Sequence, residues 1–272
     1  SNDERQELRK GYKEAMGKEL IEALEKELSG DFKNCMVKLF KDPIESDAED
    51  LKKSMKGAGT DEDLLIEIVV SRTSDELVKI KEKYQQLFNV TLEEDIAGDT
   101  SGDFLNLLKS LINSERSKNE KPKKSQCTSV AKEIHDSAEN KKVNNEDIIR
   151  YFSTLSPKEL KNMCQEYYKL SGKTIMEFID KQFSGDFKDC LKSLVYAVIS
   201  PSEYWATRIL KSIKGAGTDE DLLNRCIISR YNKDMKDIKI FFNKLYNKDM
   251  VEEIADDISG DYLTVIKALI DY

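Results

Sequence analysis

Two segments of this 272-residue chain combine residue types that suit a hard cation. Lys56 to Leu65 and Lys214 to Leu223 are the same ten residues, KGAGTDEDLL. Two glycines after a helix end allow positive φ and turn successive carbonyl oxygens outward, which is the donor set an oxygen-seeking ion prefers. A carboxylate from a second loop can complete such a cage: Asp99 lies 44 residues after Met55, and Asp257 lies 44 after Ile213. The carbonyls of Met55, Gly57 and Gly59 with a bidentate Asp99 supply about five oxygens, and Ile213, Gly215, Gly217 and Asp257 supply an equivalent set. Ca²⁺ takes roughly six to eight, so positions remain for water or a ligand oxygen, whereas Mg²⁺ resists that degree of dehydration. Either feature alone is a plain helix stop or cap. Their joint recurrence at one spacing is what points to a site.

The elements that must position these residues are repeated. Ser-Gly-Asp-aromatic occurs at Ser29, Ser101, Ser184 and Ser259, with spacings of 72, 83 and 75 residues, each time opening an apolar helical pattern. A repeat of about seventy residues therefore organises the chain. In the second repeat, Asp47 to Met55 is expected as a helix stopped at Gly57 and Gly59. Thr60, with Asp63 three positions on, resembles a capping box for the next helix, through Val70. Ser74, Thr91 and Ser101 are expected to open three more, making five helices per repeat. The fourth repeat has matching breaks at Gly215/Gly217, Ser229-Arg230, Asp249 and Ser259, and the third starts later helices at Ser156 and Ser184.

The expected organisation is a partial first repeat over residues 1–42 with only the last three helices, a second repeat over 43–112, a linker over 113–127, a third repeat over 128–200 and a fourth over 201–272. Residues Lys118 to Lys124 are the one concentrated basic stretch and read as solvated linker. A five-helix repeat missing two helices leaves an apolar face open, so this chain is expected to be part of a longer one. In the third repeat the glycine-loop region is AENKKVNNEDII, without glycine, and Gln182 stands where the acid should be, so no site of this type is expected there. Glu27 takes the acid position in the first repeat, without a glycine loop, and is a candidate half-site only.

KGAGTDEDLL, the Ser-Arg pairs at 71–72 and 229–230, and GDTSGDF at 98–104 resemble annexin repeats over essentially the whole chain. The resemblance implies an all-α array of four five-helix repeats on a curved disc, the first incomplete, with calcium loops that bind anionic phospholipid. It places the loop ligands on Met55, Gly57, Gly59 and Asp99, and on Ile213, Gly215, Gly217 and Asp257. It also puts Asp47, Glu67, Arg72, Arg225, Arg230 and Asp234 near a polar centre, where structural ion pairing is expected rather than conduction. Arg72 and Arg230 are expected to bond helix-end carbonyls.

Composition narrows the function. A net charge of −8 repels nucleic acid and anionic membrane alike, so contact with phosphate needs a bridging cation. The odd number of cysteines, five, without a CxxC pair, argues for buried reduced thiols, and a cytoplasmic protein is the default; the annexin resemblance implies that it becomes peripheral on membranes when calcium rises. Enzymatic activity is not expected: the single histidine, His135, sits in a polar helical stretch expected to face solvent, and no phosphate-binding loop or nucleophile elbow occurs. The competing reading is a calcium-insensitive helical scaffold for a cytoskeletal or membrane-protein partner.

Overall fold

A computed structural model describes residues 1–57, 59–114, 123–215 and 217–272. Among these described residues there are eighteen α-helices and no strand. The first repeat supplies α1 (Asn2–Met16), α2 (Leu20–Glu27) and α3 (Gly30–Phe40). The second supplies α4 (Pro43–Ser54), α5 (Glu62–Ser71), α6 (Ser74–Phe88), α7 (Leu92–Asp99) and α8 (Gly102–Asn113). Next come α9 (Lys124–Glu139), α10 (Asn145–Thr154), α11 (Pro157–Ser171), α12 (Ile175–Gln182) and α13 (Gly185–Ile199). The last five are α14 (Pro201–Ile213), α15 (Glu220–Arg230), α16 (Met235–Tyr246), α17 (Met250–Asp257) and α18 (Gly260–Ile270).

The chain divides into two compact units, one formed by Ser1–Ser46 with Pro201–Tyr272 and the other by Asp47–Ser200. In the second unit α5 is the central helix. Every residue from Leu64 to Val70 is buried, as a helix apolar nearly all round must be, and it packs on α8 and α13. Around it α9 lies along α11, and α10 along α8. In the other unit α14 packs on α15 and α16, while α3 rests on both α15 and α18. Burying one Leu, Ile or Val side chain contributes roughly 1.5–3 kcal/mol, so these all-buried helices hold the repeats together.

The helix starts differ from expectation in two ways. Asp61 and Asp219, not Thr60 and its counterpart, cap α5 and α15: their carboxylates accept from the backbone N–H groups of Leu64 at 3.0 Å and Leu222 at 2.9 Å. Ser29, Ser101, Ser184 and Ser259 occupy the cap position but make no side-chain cap bond. The cause is the next residue, a glycine at φ +60 to +65 in all four, which swings the chain into the helix through the left-handed region. The third helix of the second repeat is capped by Thr73, one residue before Ser74, in a full capping box with Glu76.

The linker expectation meets a helix: α9 begins at Lys124 and buries Cys127 completely. The basic stretch up to residue 122 lies outside the described residues. All five cysteines are buried. His135 is half-buried rather than exposed, with its ring edge-on to Tyr167 at 6.4 Å. Arg72 and Arg230 grip carboxylates instead of helix-end carbonyls. Arg72 donates to both oxygens of Asp47 at 2.6 and 2.8 Å, and Arg230 to both oxygens of Asp234 at 2.7 and 2.5 Å. A planar guanidinium meeting a carboxylate two-pronged outcompetes a single carbonyl.

Candidate metal centres

The glycine loops have the backbone their sequence demands. Gly57 and Gly59 lie at φ +106 and +105, and Gly215 and Gly217 at +130 and +96, where side chains are strained. No atom lies within 4 Å of where a Cβ would stand at any of the four, so the glycines serve backbone conformation and not close packing. Both loops close by the same bond across their necks: Asp61 N–H donates to the Ser54 carbonyl at 2.7 Å, and Asp219 N–H to the Ser212 carbonyl at 2.7 Å. Met55 and Ile213, at the loop entrances, have buried side chains, which anchors the backbone from which the loops spring.

The acids arrive from a second helix. Asp99 is the last residue of α7 and Asp257 the last of α17, and both are exposed. The Thr60 hydroxyl donates to the Asp99 carbonyl at 3.2 Å, which joins glycine loop and acid loop in the second repeat. The Asp99 and Asp257 side chains make no hydrogen bond or ion pair among the described residues. Nor do three His, Cys, Asp or Glu side chains among them stand close enough together to hold a metal ion by themselves. A cation at these loops would therefore be held mainly by carbonyls, with one carboxylate each, and the open space beside the glycines admits both the ion and a further oxygen.

The helix carrying Asp99 is held firmly. Thr91 and Glu94 form a capping box at its start. Asp95, one turn before Asp99, pairs with Lys52 of α4 at 2.6 Å and accepts the Tyr84 hydroxyl of α6. Partial burial opposes the Asp95 charge, but the Lys52 and Tyr84 bonds prevail and hold its carboxyl below the usual range. Burial, then the bond to Asp95, pushes the Tyr84 hydroxyl well up.

Glu27 ends α2 as Asp99 ends α7, and it is exposed. With Ser29, Asp31, Glu220, Asp257 and Asp261 it lines a polar hollow of about 540 Å³. The third repeat is built otherwise. Its loop has no glycine, and Lys141 within it takes a left-handed backbone, φ +54. The neck bond is replaced by one that spans fewer residues, Lys142 N–H to the Ser137 carbonyl at 2.8 Å, and Asn144 caps α10 as Asp61 caps α5. Gln182 ends α12 at the acid's position.

Repeats of this architecture with paired glycine and acid loops define a class of calcium-responsive membrane proteins. The annexin family model matches residues 1–39, 46–111, 129–194 and 204–269, and the chain belongs to the annexin family. It is 38% identical to annexin A13 of Homo sapiens over 271 residues, which is 99% of this chain and 86% of the relative. It is 38% identical to annexin A4 of Mus musculus over 269 residues, 98% of this chain and 84% of that one. Among solved structures, annexin III superposes with a TM-score of 0.96 at 36% identity, covering 100% of this chain and 85% of that chain. A calcium-bound annexin (Sm)1 superposes at 0.92 and 27% identity, covering 100% and 82%. Annexins are non-enzymatic proteins that bind phospholipid in a calcium-dependent manner. No helix among the described residues is long and apolar enough to cross a membrane.

Proposed function

We propose that this chain binds anionic phospholipid peripherally through Ca²⁺ held in the second- and fourth-repeat loops, by Met55, Gly57, Gly59 and Asp99 and by Ile213, Gly215, Gly217 and Asp257. The observation that carries the reading is the pair of positive-φ glycine loops, each set with an unshared carboxylate at the end of a neighbouring helix. The ion's open positions take lipid phosphate or carboxyl oxygens, so a protein of net charge −8 meets a negative bilayer only with calcium. One carboxylate per site gives weak affinity without lipid, on the order of 10⁻⁴ M or poorer. Lipid and calcium then tighten each other reciprocally. Glu27, with no glycine loop among the residues present, is at most half a site.

Sedimentation with phosphatidylserine vesicles across a calcium titration, reversed by EDTA, tests this. Asp99→Asn with Asp257→Asn is expected to abolish most calcium-dependent pelleting while leaving the helical fold intact by circular dichroism. Pelleting that ignores calcium in both proteins would favour the scaffold reading, for which the unpaired glycine loops are only helix stops.

A further inference from the structure

The third repeat has exchanged the features of a calcium loop for fixed positive charge. At aligned positions, Met55 to Asp61 with Gly98 and Asp99 carry a net charge of −1 in the second repeat. Ala138 to Asn144 with Lys181 and Gln182 carry +2 in the third. Lys141 lies within this loop with a left-handed backbone, φ +54, and the loop closes through Lys142 N–H on the Ser137 carbonyl, with no glycine to turn successive carbonyls outward. Lys141, Lys142 and Lys181 are exposed, and none makes an ion pair or side-chain hydrogen bond among the described residues. Carboxylates flank the loop too: Glu139 opens it, Glu146 lies past it on α10, and Asp103 and Asp186 line the adjoining hollow.

Position adds to charge. The Asn145 side-chain amide, at the loop's exit, donates to the Asp103 carboxylate of α8 at 2.6 Å. Asn145, Gln182 and Ser184 of the third repeat line one hollow of about 310 Å³ with Ser101 and Asp103 of the second. Ser101 is two residues beyond Asp99, so the lysine loop flanks the second repeat's acid loop inside one compact unit. Ammonium groups there need no ion between themselves and a phosphate, and they act within a Debye length of about 10 Å even on a net-negative protein.

We propose that the third-repeat loop, through Lys141, Lys142 and Lys181, is a calcium-independent contact for anionic lipid headgroups beside the second-repeat calcium loop. It rests on the membrane reading above only in sharing that bilayer. The contact lowers the calcium needed for attachment, because part of the binding energy is present before any ion arrives.

The test uses the full chain and vesicles of equal parts phosphatidylserine and phosphatidylcholine, with pure phosphatidylcholine as control, first in EDTA at low ionic strength and then across calcium. The unaltered protein is expected to show a residual, salt-sensitive partition in EDTA that Asp99→Asn/Asp257→Asn retains. Lys141→Ala/Lys142→Ala is expected to lose about ten- to thirty-fold of it and to need several-fold more calcium for half-maximal pelleting. Matching melting temperatures confirm that the exposed loop variant is folded, and Lys141→Gln/Lys142→Gln repeats the loss with longer side chains. Equal partition in EDTA and equal calcium midpoints for the lysine variants and the unaltered protein overturn this proposal and leave the calcium reading standing. Calcium-indifferent pelleting that the lysine variants lose supports it and overturns the calcium reading instead.

Discussion

At the scale of single residues, two kinds of strain and pairing decide what can be altered. Gly57 and Gly215, at φ +106 and +130, hold a backbone that any Cβ resists, yet nothing crowds the space beside them. Gly57→Ala and Gly215→Ala are therefore expected to cost about 1–2 kcal/mol of loop strain, visible as a higher calcium midpoint in vesicle binding with little loss of helix content. Arg72 and Asp47 are the opposite case, with side chains only 12% and 10% exposed. Burial disfavours the Arg72 charge, but Asp47 more than compensates and holds the guanidinium protonated. Arg72→Ala leaves Asp47 nearly buried without its partner and is expected to lose about 3–5 kcal/mol in urea denaturation. Replacing both residues should cost less than the sum of the two single changes.

At the scale of helices, α7 and α8 separate residues that look alike in sequence. Thr91 caps α7 through its hydroxyl, whereas Ser101 holds the same position before α8 with no such bond. Thr91→Ala is expected to cost about 1 kcal/mol and Ser101→Ala only a few tenths, measured side by side by thermal unfolding. The Asp95 contacts to α4 and α6 add a pH dependence. Its folded carboxyl titrates below the usual value, near 3.9, so its contribution is complete above that value and is lost as pH falls through the lower folded one. Asp95→Asn should flatten this part of the acid limb, and an unchanged acid midpoint would show the pairing to be inert. Much of this was legible beforehand, because glycines after a helix end and the recurrence of Ser-Gly-Asp are local signals. The serine caps were misjudged because a neighbouring glycine's φ, not the serine, sets the geometry there. The partner of Arg72 is not legible because Asp47 lies 25 residues away, whereas Asp234, four residues beyond Arg230, is a local signal the sequence does carry. Thr60 reads as a cap in the sequence, but the neighbouring Asp61 takes that place, and the Thr60 hydroxyl donates to a loop 39 residues away.

At the scale of the molecule, the cysteines report on the two compact units. Cys35 and Cys226 belong to the unit that includes residues 1–46 and 201–272, and Cys127, Cys164 and Cys190 to the other. Burial pushes the thiols of Cys35 and Cys164 up to about 12, so they are poor nucleophiles while folded. Pulsed alkylation through a urea titration, read by mass spectrometry, is expected to label Cys35 with Cys226 at one midpoint and the other three at another. A single midpoint for all five would mean that the units unfold as one. The same division sets an order of assembly. Residues 47–200 form one unit from a single continuous stretch of chain, but α3 must wait for α15 and α18. At about 5–20 residues per second that wait lasts on the order of ten seconds or more. Through that interval the nascent chain carries an uncovered apolar helix face, and its hazard during synthesis is premature association with neighbouring chains.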